Sequence, residues 1–409
     1  MGADRVQADR MEADRMEAQA AHREATDRAH MARALELAAR GLYTTDPNPR
    51  VGCVLARGSE TLGEGWHERA GEAHAEVAAL AAARGDVRGA TAYVSLEPCS
   101  HVGRTPPCVD ALIAAGIGRV VCACIDPNPR VAGAGIERLK AAGIAVTVGI
   151  LEPEARALNP GFFSRFERGR PYVRLKLAMS LDGRTAPAGG GATSISDETS
   201  RADVQRWRAR SSAVLTGSGT VRTDDPRLDV RLAYGPFIRQ PLRVVLDTTL
   251  GCAPDARVFA REGAVVFTSA EAAPDAAARL AAHSPPVAVE RVPVSGGRLD
   301  LEAVLSRLAA LEVNELLLEC GPRLAAAFLE AGLVDEWILY VAPRLLGADA
   351  APLTALAGLD ARGAGFAFDI MSVARLDTDV RLVLEPRGAA RDSRRGPRSE
   401  QGAERCSPE

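Results

Sequence analysis

Four side chains able to do metal and proton chemistry cluster in the segments HAEV and LEPCSHVGRTPPC: His74, Glu76, Cys99 and Cys108. One imidazole and two thiolates are the donor set of a catalytic zinc that keeps a fourth position for water. Zinc held this way brings the pKa of water down toward neutrality. Pro98 precedes Cys99, and Pro106 and Pro107 precede Cys108. This predicts both thiols near helix N-termini, where the macrodipole favours thiolate. His74 and Glu76 are two residues apart, so in mid-helix they would face apart; the pair works only at a helix start or on an extended segment. There Glu76 can carry a proton from the attacking water to a leaving amine. A structural zinc knuckle, or unrelated cysteines, is the competing reading. The His-x-Glu upstream and the prolines before both thiols argue against it.

The loop between the cysteines brings His101 and Arg104 beside the metal. Arg104 offers a bidentate fork for a substrate phosphate; both residues being solvated surface is the alternative. The hexapeptide DPNPRV occurs twice, from Asp46 and from Asp126. Its prolines stiffen a turn that presents the Asn side chain. One copy precedes an apolar run and the other follows one, so both turns can reach one rim. Cys122 and Cys124 alternate on a strand and are expected on one face as small buried hydrophobes, the role also given to Cys53 and Cys320.

Further along, Lys176 interrupts an apolar strand and Glu319 does the same in LLLECGP. An unpaired buried charge is costly, so each needs a ligand or a structural ion pair. The Gly321-Pro322 turn opens a helix whose N-terminal amides can receive a phosphate. In TGSGTVRTDDPR, Gly217, Gly219 and Thr220 allow close approach of a cofactor, or form a plain turn.

These residues need scaffolding, and the sequence supplies it in two alternating series. Helical patterns (31–40, AHAEVAALAAARG, CVDALIAAG, GIERLKAAG) interleave with strand patterns (VGCVLA, TAYVSL, RVVCACI, IAVTVGI), predicting an α/β domain over 29–150. A connector over 151–171 leads to a second α/β domain over 172–387, with strands in VRLKLAMS, SSAVLTG, PLRVVLD, GAVVFT, NELLLEC and EWILYVA. Residues 1–28, with Ala-Asp-Arg repeated, read as a solvated helix or disordered arm, and 388–409 as a disordered tail. The chain has 409 residues, 47% of them hydrophobic and 25% charged, with net charge -3. That balance gives no electrostatic footprint for nucleic acid or an anionic membrane. No apolar run approaches ~20 residues, the first 28 residues lack the apolar core of a secretory leader, and a cytoplasmic location is expected. Eight scattered cysteines fit metal ligation and buried thiols rather than a disulfide framework.

His-x-Glu followed by Pro-Cys and a further Cys is the signature of zinc nucleobase deaminases, although here eight residues rather than two separate the cysteines. NPRVGCVL, HAEV, LEPCSHVGRTPPC and DPNPRVAGAGI resemble the deaminase half of the bifunctional riboflavin-biosynthesis deaminase/reductase family, which carries the long spacing. LKLAMSLDGRTA, LTGSGTVRTDDPRLDVR, LRVVLD, LLLECGPRLAAAFLEAGLVDE and VAPRLLG resemble its reductase half. The resemblance implies a cytidine-deaminase-like three-layer α/β/α domain followed by a dihydrofolate-reductase-like α/β domain. It implies zinc on His74, Cys99 and Cys108, Glu76 as general acid/base, and Asn48, His101, Arg104, Asp126 and Asn128 around a phosphoribosyl-pyrimidine substrate. In the second half it implies NADPH at Thr220, Asp224 and the turn-helix Gly321, Pro322, Arg323, Leu324, Ala325, Ala326 and Ala327. Arg208, Leu228, Arg231 and Glu319 are then expected to hold the ribosyl phosphate, with Lys176 nearby. A homo-oligomer is expected, with no nucleic-acid or membrane partner. One departure stands out: ATSIS has Ala192 and Ser194 where many members carry Ser and Trp. Losing the aromatic removes a stacking surface worth about 0.5–1.5 kcal/mol. The alternatives are a zinc deaminase of another pathway with a non-reducing nucleotide-binding domain, and a non-catalytic zinc-stabilised scaffold.

Overall fold

The computed structural model describes residues 2–100, 106–189, 194–231, 239–357 and 365–387, with side chains from residue 10 onward. His101, Arg104, Ala192 and the segment 388–409 lie outside the described residues. The N-terminal repeats are rich in Ala, Arg, Met and Glu, all good helix formers. They run unbroken into α1 (Gly2–Ala39). For 2–28 the helix alternative, not the disordered arm, is what the structure shows. Its inner end is pinned where Asp27 accepts hydrogen bonds from Tyr93 Oη at 2.9 Å and from both Arg119 Nη atoms at 2.7 Å.

The first half is built on β1 (Gly52–Arg57), β2 (Glu60–Trp66), β3 (Thr91–Val94), β4 (Arg119–Cys122) and β5 (Ala145–Val148), in the order β2-β1-β3-β4-β5. β1 is antiparallel to β2 and β3, whereas β3, β4 and β5 are parallel. On one face lie α2 (Ala75–Ala81), α3 (Cys108–Ala114) and α4 (Ala134–Ala141), burying Ala79, Val109, Leu112 and Leu139. On the other, α1 packs Met31, Ala34 and Leu37 with Phe162 and Phe163. Gly52 allows this approach: a Cβ there would collide with the carbonyl of Ala34. The three layers are those expected. The connector is built of two helices, α5 (Glu152–Leu158) and α6 (Pro160–Arg168). One expectation fails locally: β4 ends at Cys122, so Cys124 turns into the opposite core, and the two thiols do not share a face. Both are buried, as expected.

The second half contains β6 (Tyr172–Ser180), β7 (Arg184–Ala186), α7 (Glu198–Arg210), β8 (Ala213–Gly217), α8 (Ser218–Asp224), β9 (Leu242–Leu246), β10 (Ala264–Thr268), α9 (Pro274–Ala281), β11 (Ala288–Arg291), β12 (Val294–Ser295), β13 (Arg298–Leu299), α10 (Leu301–Ala310), β14 (Glu315–Glu319), α11 (Pro322–Glu330), β15 (Glu336–Ala342), β16 (Ala351–Pro352), β17 (Phe368–Leu376) and β18 (Asp379–Pro386). Nine of these strands form one sheet, β11-β10-β9-β8-β14-β6-β15-β18-β17, parallel as far as β15 and closed by the antiparallel β18 and β17. Helices cover both faces: α10 and α11 bury Leu305, Leu308 and Phe328, and α7 and α9 bury Val204 and Leu280.

The first DPNPRV turn joins the halves. Asp46 accepts from Ser212 Oγ (2.6 Å), Arg239 (2.6 Å) and Asn314 Nδ2 (3.1 Å). Arg50 reaches Glu315 at 2.8 Å, and its backbone is held on both sides by Asn159 of the connector (2.8 and 2.9 Å). Glu315 is also bonded to Arg174 and, at 3.2 Å, to Arg210.

Candidate active sites

His74 is the N-cap of α2 and Glu76 lies in its first turn, the helix start that the His-x-Glu spacing requires. Cys108 opens α3, but Cys99 does not open a helix; it receives the backbone N–H of Cys108 at 3.3 Å and so shares the same helix N-terminus. The expectation of two helix-start thiols is corrected to one helix start serving both. His74 Nδ1 lies 3.2 Å from Cys108 Sγ and 3.5 Å from Cys99 Sγ. The three ligand atoms fall within 4.8 Å of one another, which fits a single zinc ion. The Cys108 thiol, and then His74, hold Cys99 down to about 4, while Cys99 pushes Cys108 up. The two thiols thus share one proton, the arrangement a cation between them would replace. Burial pushes Glu76 up to about 7, matching a group that must both take and give a proton near neutrality.

His74, Glu76 and Cys99 line a cavity of about 490 Å3 together with Asn48, Asp126 and Asn128, so both DPNPRV turns do reach one rim. Burial also pushes Asp126 up to about 7. Its Oδ1 accepts the backbone N–H of Asn128 at 2.8 Å, shaping the turn from within. Three residues of this region carried no motif signal. His67 lines the cavity with Nδ1 donating to Ala73 O (3.0 Å) and Nε2 accepting from Asn48 Nδ2 (3.0 Å), which turns the Asn48 carbonyl oxygen free. Glu97 accepts four backbone N–H groups, from Asp126, Gly133, Gly135 and Ile136 (2.9–3.2 Å), and so holds the second turn in place. Gly135 is required there because a Cβ would strike the carbonyl of Pro98. The third is Arg165, on the connector helix α6.

The second constellation gathers where β6, β8 and β14 run toward their C-terminal ends, the end at which open α/β sheets bind ligands. Lys176 on β6 is directly opposite Glu319 on β14. Burial depresses the Lys176 pKa, and its Nζ lies 5.6 Å from the centre of the Tyr340 ring. Glu319 is bidentate with Arg208 at 2.6 and 2.9 Å, and Arg208 also donates to Asp229 O (3.1 Å). Those two expected ligand residues are thus committed first to each other. Arg231 pairs with Asp229 at 2.6 Å, and Leu228 is buried at a left-handed φ of 53°. Gly217 caps α8, which carries Thr220 and Asp224, and Gly321 caps α11, with Pro322 in its first turn. The two turns face one another: a Cβ on Gly321 would stand 3.7 Å from Thr220 Oγ1, and one on Gly217 would stand 3.3 Å from Leu324 Cδ2. Arg323, Ala325, Ala326 and Ala327 follow on α11, with Ala325 and Ala326 packed into the core. The helix's first turn, not its alanine face, is therefore what a cofactor phosphate can meet. Ser194 accepts from Arg201 at 3.0 Å.

The family model for the cytidine and deoxycytidylate deaminase zinc-binding region matches residues 24–124, and that for the RibD C-terminal domain matches 171–382. The riboflavin biosynthesis protein RibD of Escherichia coli (strain K12) is 46% identical over 370 residues, covering 88% of this chain and 99% of that one. The chain belongs to the bifunctional riboflavin-biosynthesis deaminase/reductase family. Among solved structures, Acinetobacter baumannii RibD is similar with TM-score 0.82 and 43% identity, over 89% of this chain and 99% of that one. The Thermotoga maritima diaminohydroxyphosphoribosylaminopyrimidine deaminase/5-amino-6-(5-phosphoribosylamino)uracil reductase follows with TM-score 0.76 and 34% identity, at the same coverage. Membership makes this chain a bifunctional enzyme of riboflavin biosynthesis, a zinc-dependent deaminase followed by an NADPH-dependent reductase. No helix among the described residues is long and apolar enough to cross a membrane.

Proposed function

We propose that residues 29–150, with α1 completing their outer layer, deaminate 2,5-diamino-6-(5-phosphoribosylamino)pyrimidin-4-one by hydrolysis. Residues 172–387 then use NADPH to reduce the ribosyl group to ribityl. The observation that carries the first step is Glu76, buried and pushed up to about 7, beside a three-ligand cluster that opens into the cavity. Zinc on His74, Cys99 and Cys108 supplies the Lewis acidity that makes water acidic enough to lose a proton there. Glu76 takes that proton as the water oxygen bonds to the ring carbon bearing the 2-amino group. It returns the proton to the departing nitrogen, so that the C–N bond breaks and ammonia leaves. Asn48, oriented by His67, offers its carbonyl oxygen to a ring or exocyclic N–H. Asp126 and Asn128 close the opposite rim.

In the second half, NADPH supplies the hydride. The turn-helix of Gly321 to Ala327, with Thr220 and Asp224, holds its phosphates and ribose. Lys176, Arg208, Leu228, Arg231 and Glu319 hold the ribosyl phosphate substrate, the Arg208–Glu319 pair fixing the wall against which Lys176 is presented. Exposed Ile370 and Val373 on the edge strand β17 support a homo-oligomer in which another copy covers them. The enzyme is assigned to the cytoplasm. The test is a pair of assays on one sample: ammonia release, and NADPH absorbance with the deaminated intermediate. Glu76→Gln is expected to retain zinc and lose ammonia release. Normal deamination by that variant refutes the first step, and absence of NADPH oxidation by the wild type refutes the second.

A further inference from the structure

Arg165 has no role in the chemistry so far, yet it stands at an informative place. It lines the deaminase cavity and also an adjoining groove of about 630 Å3, where Phe166, Asn128 and Glu312 accompany it. The charged groups lining the cavity besides Arg165 and the two histidines are all acidic: Glu72, Glu76, Glu97, Asp126 and Glu312. A cavity with that lining repels an anionic substrate unless a cation answers it. Among the described residues Arg165 is the guanidinium of the cavity lining, and it is shared with the groove, which Arg130 also lines. The Nη1 of Arg165 is shut off from solvent and has no hydrogen-bond partner among the described residues. Burial lowers its pKa, and the acidic groups acting on it are the more distant Glu312 and Asp46. Asp46 is already committed to Ser212, Arg239 and Asn314. A buried guanidinium donor left unmatched is costly, and such groups are normally bonded to an anion or water.

The side chain is also held where it can act. Its guanidinium lies 4.6 Å from the Phe166 ring centre and 6.0 Å from that of Phe162. The start of α6 is fixed by the two hydrogen bonds between Asn159 and the backbone of Arg50. We infer that Arg165 of the connector helix is a specificity-determining residue of the deaminase, receiving the substrate's phosphate at the junction of the cavity and the groove. The inference rests on the deaminase reading above and adds to it. The connector, rather than either domain, makes the deaminase prefer a phosphorylated ribosyl-pyrimidine to its dephosphorylated counterpart.

The full-length enzyme with Arg165→Met, Arg165→Lys or Arg104→Met is assayed for ammonia release with the phosphorylated substrate and with the same compound after phosphatase treatment. Charge-assisted hydrogen bonds of this kind are worth about 10–100-fold in affinity. Arg165→Met is expected to raise KM for the phosphorylated compound by that factor, leave the dephosphorylated one within about 3-fold, and lose competitive inhibition by inorganic phosphate. Arg165→Lys should recover part of the preference. NADPH oxidation by the same preparations reports an intact fold. Equal losses on both compounds, an unchanged preference in Arg165→Met, or a preference abolished by Arg104→Met alone overturns the assignment. If the wild type fails to deaminate the phosphorylated compound, the deaminase reading itself is what has failed.

Discussion

Replacing Glu315 by Gln tests how the two halves are held together. Its carboxylate is 3% exposed and faces three guanidinium groups: Arg50 from the first DPNPRV turn, Arg174 on β6 and Arg210 at the end of α7. Burial alone would raise its pKa, but Arg174, Arg50 and Arg210 together hold it well below the usual carboxylate range. Removing the charge strands buried cations, a loss typically worth about 3–5 kcal/mol. Arg174 keeps Glu336 at 3.0 Å and Arg50 keeps the carbonyl of Leu158 at 2.6 Å, which places the cost at the lower end. At roughly 2–4 °C per kcal/mol for domains of ordinary size, the unfolding midpoint should fall by about 10 °C. Because Arg50 belongs to one half and Glu315 to the other, calorimetry should also show the transition separating into two. The pH dependence follows from the depressed folded-state pKa: the stabilisation is fully present above the unfolded value of about 4.3 and is lost as pH falls below it. The gap between wild type and variant should therefore be flat through neutral pH and close only in acid. A midpoint shift under about 2 °C, or a gap that widens on acidification, would show that the network does not carry the interface.

Other outcomes can be checked alongside. Cys108→Ser should lose zinc, measured by metal analysis, and deaminase activity, while NADPH oxidation persists in the same sample. Glu97→Gln removes the charged acceptor for four backbone N–H groups, so KM for deamination should rise by about 10-fold or more with little change in reductase rate. His67→Phe should cost deaminase activity by releasing the Asn48 amide, and Asn48→Asp in that background should not restore it. Arg208→Met, which leaves Glu319 unpaired in the second site, should abolish NADPH oxidation and leave ammonia release within about 2-fold.

The zinc ligands were legible in the sequence because each lies beside a local signal, a helix start or a proline, and because two of them share one helix N-terminus. The strands were legible where apolar runs are short and bounded by glycine. The helices of the connector were not, since ALNPGFFSRFERG reads only as a link between domains until Phe162 and Phe163 find the face of the sheet opposite α2. The β17–β18 hairpin was also missed, as its exposed outer strand lacks an apolar run. Asp46 illustrates the limit most clearly. The repeat predicts two turns at one rim, and Asn48 and Asn128 do line one cavity. Yet Asp46 faces Ser212, Arg239 and Asn314, partners more than 160 residues away, whereas Asp126 bends back on its own turn. No local pattern encodes that division of labour. His67, Glu97 and Arg165 were invisible for the same reason: what they do depends on backbone and side chains brought to them by folding.

The polarity of β14 has a consequence for the order of the two reactions. The deaminase half is fastened at the strand's beginning, through Asn314 and Glu315, and the proposed reductase site is gathered around its end, at Glu319 and Gly321. Four residues of extended chain, roughly 13 Å, separate them. With the joint at one end of the strand and the proposed hydride-transfer site at the other, a deaminated molecule is expected to pass through bulk water between the two reactions. On that expectation covalent fusion equalises the dose of the two catalysts, and a scavenging enzyme added in excess should intercept the traveller; a product yield unchanged by the scavenger would refute it.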